Sequence, residues 1–163
     1  MMIRPATADD AQAVAGIWNP IIRNTLVTFN SVEKTPDELS VMFREKAAQG
    51  YAFFVAQNDD AEVLGFATYG QFRGGAGYRD TMEHTIILHE KARGRGVGRI
   101  LMLAIEDHAR ARGAHSIFAG VSAQNPDAIA FHAALGYVKA ARLPEVGNKF
   151  GQWLDLVLMQ KFL

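Results

Sequence analysis

The sequence predicts an α/β (α+β) domain in which a mixed, mostly antiparallel sheet of about seven strands is flanked by about four helices. Three observations lead to this prediction. Segments with the alternation of a strand and segments with the spacing of a helix follow one another along the chain. A basic, glycine-rich segment joins an apolar strand-like run to an apolar helix-like run. No repeat, low-complexity tract or linker interrupts the pattern, so we expect a single domain over residues 1–163.

The first half of the chain is predicted to contain a strand, two helices and a strand hairpin. Pro5 suits an edge strand because proline cannot donate a ladder hydrogen bond. Pro20 lies inside the first helical pattern and is expected to kink or divide that helix. Thr35 and Pro36 are typical of a helix start, with a capping hydroxyl followed by proline in the first turn. The predicted elements are the strand 2–6, the helices 7–25 and 35–50, and the strands 51–57 and 62–71.

The second half is predicted to alternate strands with helices and to end in two strands. Gly113 and Gly136 are suitable helix stops, because glycine readily adopts the left-handed conformation that follows helix ends. Turn residues at 147–151 separate the last two strands. The predicted elements are the strand 81–89, a helix from residue 100 to 111, the strand 115–121, a helix over 125–135, and the strands 137–142 and 153–162.

The composition is that of an ordinary globular protein, and it excludes several classes of function. Hydrophobic residues make up 49% and charged residues 21% of the chain. Its 17 basic and 17 acidic residues give a formal net charge of zero, which argues against nucleic-acid binding. The absence of cysteine excludes disulfides, thiolate nucleophiles and cysteine zinc sites. No apolar run approaches the length of a membrane span, so we expect no membrane association and a cytoplasmic location.

Residues 91–100 are the most informative segment, with three alternate glycines among four cations. A turn before a helix start exposes backbone N–H groups that lack an intrahelical partner, and the helix dipole favours an anion there. Glycines remove the side chains that would keep a phosphate away, and arginines add positive charge around it. The segment therefore predicts a phosphate site formed by Gly94, Gly96, Gly98, Arg93, Arg95 and Arg99.

Three known phosphate loops compete for this segment, alongside the alternative of a flexible basic loop. A Walker-type loop requires Gly-Lys-Ser/Thr, whereas Gly98 is followed by Arg99 and Ile100. A dinucleotide fingerprint requires an acidic residue about 20 positions later, and residues 116–121 contain none. The third is the coenzyme A pyrophosphate loop of the GCN5-related N-acetyltransferases (GNAT), Gln/Arg-x-x-Gly-x-Gly/Ala, which residues 93–98 resemble in full.

A second segment strengthens this resemblance. Residues 125–137 are similar to the family's Asn-x-x-Ala-x-x-Phe-Tyr-x-x-x-Gly-Phe pattern, and the order of elements resembles the GNAT fold over nearly the whole chain. The resemblance implies that acetyl-CoA is the co-substrate and that the strand before the loop holds its pantetheine arm. Asn125 is expected to cap a helix, a role compatible with contacting the cofactor. The implied cofactor-binding residues are Ile86, Ile87, Leu88, Arg93, Gly94, Arg95, Gly96, Val97, Gly98, Arg99 and Asn125.

A narrower resemblance involves segments outside the cofactor loop. Residues 72–73, 77–79, 81–85 and 143–155 look like the phosphinothricin and methionine sulfoximine acetyltransferase subgroup. The subgroup implies acetylation of the α-amino group of a small amino-acid analogue. It also implies a homodimer with the tail strands near the shared surface, where exposed apolar residues would fit. We expect Phe150, Trp153 and Leu154 to be those residues.

The reaction requires a neutral amine, so a base must remove a proton directly or through water. Glu83 is our candidate base, because it lies two residues before the expected thioester segment; the alternative is a solvated charge on a sheet face. His132 occupies the position where the family often has the tyrosine that protonates the departing thiolate, although a core or surface histidine is an equal alternative. The amine would attack the thioester directly, so the reaction needs no covalent enzyme intermediate.

The resemblance also suggests which residues hold the acceptor. Arg73 and Arg79 are expected to bind a carboxylate or phosphinate, although solvated loop arginines are equally compatible with the sequence alone. The expected substrate-binding residues are Phe29, Arg73, Gly77, Tyr78, Arg79 and Glu83. No metal is predicted, because His84, His89 and Glu90 lack His-Glu-x-x-His spacing and lie along a strand.

Two alternative functions remain open from the sequence: an acetyltransferase for a peptide N-terminus or polyamine, and a non-catalytic coenzyme A sensor.

Overall fold

Seven strands and four α-helices follow one another in the order that the sequence predicts. The computed structural model describes residues 1–163. The elements are β1 (Met2–Pro5), α1 (Ala11–Asn24), α2 (Pro36–Ala48), β2 (Phe53–Gln57), β3 (Val63–Gln71), β4 (Thr81–Leu88), α3 (Val97–Ala111), β5 (Ser116–Ser122), α4 (Pro126–Ala134), β6 (Val138–Lys149) and β7 (Gln152–Phe162). No helix is long and apolar enough to span a lipid bilayer.

All strands form one sheet in the order β1-β2-β3-β4-β5-β7-β6. Neighbouring strands are antiparallel except β4 and β5, which are parallel. The pairing of β4 with β5 ends at His84 and Ala119, and beyond these residues the two strands separate. Residues 85–88 therefore pair with β3 on one side and with no strand on the other. This divergence opens the sheet in its middle.

The two faces of the sheet are covered by different helices and have separate cores. On one face, α1 and α2 bury aromatic rings against β2 and β3, with Trp18 4.9 Å from Phe66 and Phe43 4.5 Å from Phe53 between ring centroids. On the other face, α3 packs along β3 and β4. Because strand side chains alternate between faces, Ile87 packs with the first core and Leu88 with the second.

The expectation that Pro20 divides the first helix is wrong, because α1 continues through it. Proline removes one helical donor, at a cost of about 3 kcal/mol in a helix interior. Trp18 and Ile22, on either side of Pro20, are buried against the sheet and keep the helix in place. The third helix also begins earlier than its apolar run suggests, at Val97 within the glycine segment.

The C-terminal hairpin differs most from its prediction. Residues 147–149 were expected in the turn but pair in β6, so that Phe150 and Gly151 alone form the turn, with φ of +53° and +72°. The register of β6 shifts between Leu143 and Gly147, where the strand bulges. Of the three apolar residues expected at the surface, Phe150 and Trp153 are exposed, but Leu154 is buried, because successive side chains of a strand point to opposite faces of the sheet.

Candidate active site

The divergence of β4 and β5 opens a cavity of about 750 Å³. Its walls are residues 83–88 of β4 and 119–122 of β5. The loop residues 27–30 close one side, and residues 124–128 with Phe131 and His132 close another. Arg93 lies at the end nearest the glycine segment. The cavity therefore connects the predicted phosphate loop with the predicted base.

Five of the backbone amides of residues 94–99 donate no hydrogen bond within the chain, and these are the amides of Gly94, Gly96, Val97, Gly98 and Arg99. The exception is Arg95, whose N–H donates to the Ala92 carbonyl at 3.3 Å. None of the side chains of Arg93, Arg95 and Arg99 forms an ion pair. An array of free amides at a helix start, surrounded by unpaired guanidinium groups, has the donor chemistry of a diphosphate site.

Two glycines in this segment occupy positions that disfavour a side chain. Gly96 caps α3 with a φ of +76°, a conformation that side chains other than glycine adopt at a cost. A Cβ atom on Gly98 would lie 3.1 Å from Leu88 Cδ1 and from Phe131 Cζ, so a side chain here would push these two side chains aside by a few tenths of an ångström. A Cβ on Gly94 or Gly96 would meet no atom within 4 Å, so the space beside these two glycines is open to a bound group such as the pyrophosphate of acetyl-CoA.

Asn125 performs the capping role that its sequence position predicts. Its Oδ1 accepts a hydrogen bond from the N–H of Ala128 at 3.1 Å at the start of α4. Its side-chain amide nitrogen has no partner within the chain, and the residue lines the cavity. One side chain can therefore cap the helix and donate a hydrogen bond to a ligand.

Glu83 lies in the cavity wall and has no hydrogen-bond or ion-pair partner. Its Oε1 would be 3.4 Å from a Cβ on Gly120, so the bare glycine of β5 makes room for the carboxylate. Partial burial raises the pKa of Glu83 above its ordinary value of 4.5. An unpaired carboxyl with a raised pKa in a cavity has the properties of a proton acceptor.

His132 also reaches the cavity, but from the opposite face of the sheet. Its Nδ1 is 2.7 Å from the Ala128 carbonyl, which can only accept, so Nδ1 carries the proton. Nε2 is buried without a partner and, in the neutral ring, is an acceptor. Burial lowers the pKa of His132, so the neutral ring is favoured. To protonate a thiolate, His132 must first gain a proton on Nε2.

His84 also lines the cavity, a position that the sequence motifs do not indicate. Its ring stacks on that of His132 with centroids 5.0 Å apart, and neither of its nitrogens has a partner. Burial lowers the pKa of His84 far below its ordinary value. The alternation of side chains along a strand does predict part of this position, because His84 must point to the face of the sheet opposite to that of Glu83. Ser122 and Leu156 also line the cavity, and no motif indicates them.

The residues expected to bind the acceptor are divided by the structure. Phe29 lines the cavity. Arg73, Gly77, Tyr78 and Arg79 are exposed on the loop between β3 and β4, and none lines the cavity. The Arg73 guanidinium lies 5.5 Å from the centre of the Tyr78 ring, and Arg79 pairs with Asp80 at 3.5 Å. Phe72, which precedes this loop, stacks on Phe118, the strand partner of Glu83. The loop thus adjoins the Glu83 end of the cavity without entering it.

No group of three or more metal-ligating side chains is present. His89 is used locally, because its Nδ1 accepts a hydrogen bond from the Lys91 N–H at 3.1 Å.

Comparison with known proteins identifies the family to which the chain belongs. The Acetyltransferase (GNAT) family profile matches residues 19–137. The L-methionine sulfoximine/L-methionine sulfone acetyltransferase of Pseudomonas paraeruginosa is 38% identical over 161 residues, which span 97% of this chain and 92% of that protein.

Solved structures agree in both fold and sequence. A ribosomal-protein-alanine N-acetyltransferase from Brucella melitensis superposes with a TM-score of 0.95 at 36% identity, covering 100% of both chains. A phosphinothricin acetyltransferase from Sinorhizobium meliloti, crystallised with acetyl-CoA, gives 0.93 at 30% identity over 99% of this chain and 88% of that one. The expected GNAT fold is thereby confirmed. The chain belongs to the acetyltransferase (GNAT) family and is an N-acetyltransferase.

Proposed function

We propose that this enzyme transfers an acetyl group from acetyl-CoA to the α-amino group of a small amino-acid analogue such as methionine sulfoximine, methionine sulfone or phosphinothricin. One observation carries the proposal. The unpaired carboxyl of Glu83 lies in the same cavity as Arg93, which directly precedes the free amides of the glycine segment in the chain. The names of the relatives from P. paraeruginosa and S. meliloti support this class of acceptor.

Each part of the cavity has a role in this reaction. Acetyl-CoA supplies the acetyl group as a thioester. The amides of residues 94–99 hold the pyrophosphate, and Ile86, Ile87 and Leu88 present the unpaired edge of β4 to the pantetheine arm. Glu83 takes a proton from the ammonium group of the acceptor, directly or through water. The nitrogen then attacks the thioester carbonyl, and the carbon–sulfur bond breaks as the carbon–nitrogen bond forms.

The departing thiolate requires a proton, and His132 is our proposed donor. His132 lines the cavity and its Nε2 is buried without a partner, in surroundings where an uncompensated thiolate would be costly. Because the neutral ring has its proton on Nδ1, the donor must be the imidazolium form. The nitrogen loses two protons in all. The first passes through Glu83 to solvent, and the second, lost as the amide forms, can reach Nε2 of His132 and then the thiolate, so that the overall reaction releases one proton.

The acceptor is proposed to lie between Glu83 and Phe29, with its anionic end toward the loop between β3 and β4. Arg73 and Arg79 on this loop are the proposed ligands of the carboxylate or phosphinate, with Gly77 and Tyr78 shaping the loop. The arginines lie outside the cavity wall, so this role requires the loop to fold over the acceptor. Arg93 is the one cation in the wall, at the opposite end.

A panel assay tests the proposed function. The protein is mixed with acetyl-CoA and single acceptors, and release of the coenzyme A thiol is followed. We expect turnover with methionine sulfoximine, methionine sulfone or phosphinothricin. Turnover confined to peptides, as the name of the B. melitensis structure suggests for that protein, or to polyamines would overturn the acceptor class. Coenzyme A binding without turnover on any amine would indicate a sensor.

We further propose a cytoplasmic homodimer joined through the hairpin of β6 and β7. Five apolar side chains on this hairpin are exposed by half or more: Val138, Val146, Phe150, Trp153 and Phe162. Phe150 and Trp153 lie at the turn of the hairpin, and Val138 and Phe162 lie at its open end. Large exposed apolar side chains of this kind are typical of protein interfaces. The absence of cysteine is compatible with a reducing compartment.

The substitution Trp153→Glu should convert the dimer into a monomer, because it places a charge among the exposed apolar side chains at the turn of the hairpin, which we propose to be part of the interface. Sedimentation velocity measures the change. Val41→Glu is the matched control, since Val41 is 41% exposed on α2, which packs against α1 and β2. A wild-type protein that sediments as a monomer would contradict the proposed assembly.

A further inference from the structure

Lys149 is a buried cation without an anion. Only 2% of the residue is exposed, and it forms no ion pair. Its Nζ instead donates to the backbone carbonyls of Thr25, at 2.6 Å, and Thr28, at 2.8 Å. Burying an ammonium group that is compensated only by two carbonyl oxygens and by the Phe150 ring, whose centre is 5.1 Å away, is costly, so this arrangement requires an explanation.

The two carbonyls belong to the segment 25–30, which links α1 to the loop before α2. Four of its residues, 27–30, line the cavity. The other hydrogen bonds of the segment are local, such as those from Val27 N–H to Thr25 Oγ1 and from Asn30 N–H to Thr28 Oγ1, both at 3.4 Å. Lys149 therefore supplies the only hydrogen bonds that join this cavity wall to a distant part of the chain.

A second contact from the same strand fixes the wall. A Cβ atom on Gly147 would lie 2.5 Å from Cδ2, 2.7 Å from Cε2 and 2.8 Å from Cγ of Phe29. The Phe29 ring therefore lies directly on the backbone of β6, in a place that only glycine leaves open. Gly147 and Lys149 are two residues apart and so lie on the same face of β6.

We propose that Gly147 and Lys149 are positioning residues that hold segment 25–30 as the wall of the acceptor site. The inference rests on the proposed function, in which the acceptor lies between Glu83 and Phe29. Neither residue lines the cavity. They act by holding segment 25–30 in place. Because this segment lies apart from the glycine segment, they position the acceptor and not acetyl-CoA.

Lys149→Met removes the donors while keeping the length of the side chain. We expect the KM for the amine to rise at least about tenfold, with the Kd of acetyl-CoA changed by less than about twofold. Amide hydrogen exchange in residues 25–30 should become faster. Lys46→Met is the matched control, because Lys46 is also partly buried and donates to a single carbonyl, that of Tyr69 at 2.9 Å, away from the cavity. It should change neither quantity.

The contact between Gly147 and Phe29 is tested by a double-mutant cycle. Gly147→Ala should raise the amine KM in the wild-type background and have a smaller effect in Phe29→Ala, where the ring is absent. Equal effects in both backgrounds would overturn this contact. Unchanged hydrogen exchange in residues 25–30 of Lys149→Met would overturn the role of Lys149, whether or not any amino-acid analogue is acetylated. If hydrogen exchange in residues 25–30 becomes faster in Lys149→Met but the wild-type protein acetylates no amino-acid analogue, the proposed function is overturned and the role of Lys149 stands.

Discussion

Glu83→Gln should lower kcat by about 100-fold or more, which is the usual contribution of a positioned general base. Glutamine has nearly the same shape but cannot take a proton from the amine. The affinity for acetyl-CoA should be unchanged, because Glu83 is not among the residues proposed to hold the pyrophosphate or the pantetheine arm. Steady-state kinetics and calorimetric titration with acetyl-CoA measure the two effects separately.

The pH dependence gives the same variant a second signature. Burial raises the pKa of Glu83, so the wild-type kcat should fall as the pH decreases through a value above 4.5, and Glu83→Gln should lack this limb. Because the pKa of Glu83 is higher in the folded than in the unfolded protein, protonation of this carboxyl favours folding. This contribution to stability is complete below the unfolded pKa and is lost as the pH rises through the folded pKa. At neutral pH, Glu83→Gln should therefore be no less stable than the wild type.

Glu90→Gln is the control for this substitution, since Glu90 is an exposed acid seven positions later and outside the cavity. It should leave kcat unchanged. Full turnover by Glu83→Gln would remove Glu83 from the mechanism, and lost acetyl-CoA binding would show that the effect is not one on the base.

Gly96→Asp is expected to weaken acetyl-CoA binding by about 10- to 100-fold, because a carboxylate a few ångströms from the pyrophosphate repels it with about 1.4 to 3 kcal/mol at the effective dielectric of a protein surface. Space for the side chain is not limiting, since a Cβ at this position meets no atom within 4 Å. Fluorescence or calorimetric titration measures the Kd.

Two controls separate charge from backbone strain in this experiment. Gly96→Asn places a side chain of the same shape at the same φ of +76° without the charge, and should bind more tightly than Gly96→Asp. Gly113→Asp tests an equally open glycine, with a φ of +88°, at the far end of α3, and should leave binding unchanged. Equal affinities of the Asp and Asn variants would mean that the pyrophosphate lies elsewhere.

Local signals made much of the fold predictable. The glycine segment, the caps at Thr35 and Asn125 and the helix stop at Gly113 each depend on a few adjacent residues, and all occur where the sequence placed them. The same holds for the parity of β4, which puts Glu83 and Ile87 on one face. Errors arose where packing overrides local preference, as in the uninterrupted helix at Pro20.

The acceptor end of the site was less predictable because it is built from distant segments. The contact of Lys149 with Thr28 spans 121 positions, and no local pattern identifies it. The tautomer of His132 depends on a carbonyl one turn away, and it becomes informative only once burial is known. Arg73 and Arg79 match a motif, but the motif contains no information about whether their loop is folded over the cavity.

The bulge in β6 has a consequence for how copies of this protein assemble. A straight outer strand offers a continuous row of free amides and carbonyls, onto which further chains add without limit. Here the register shift before Gly147 and the positive φ of Glu145 interrupt that row. Fibrous growth by strand addition at this border is therefore disfavoured, although the hairpin exposes large apolar side chains.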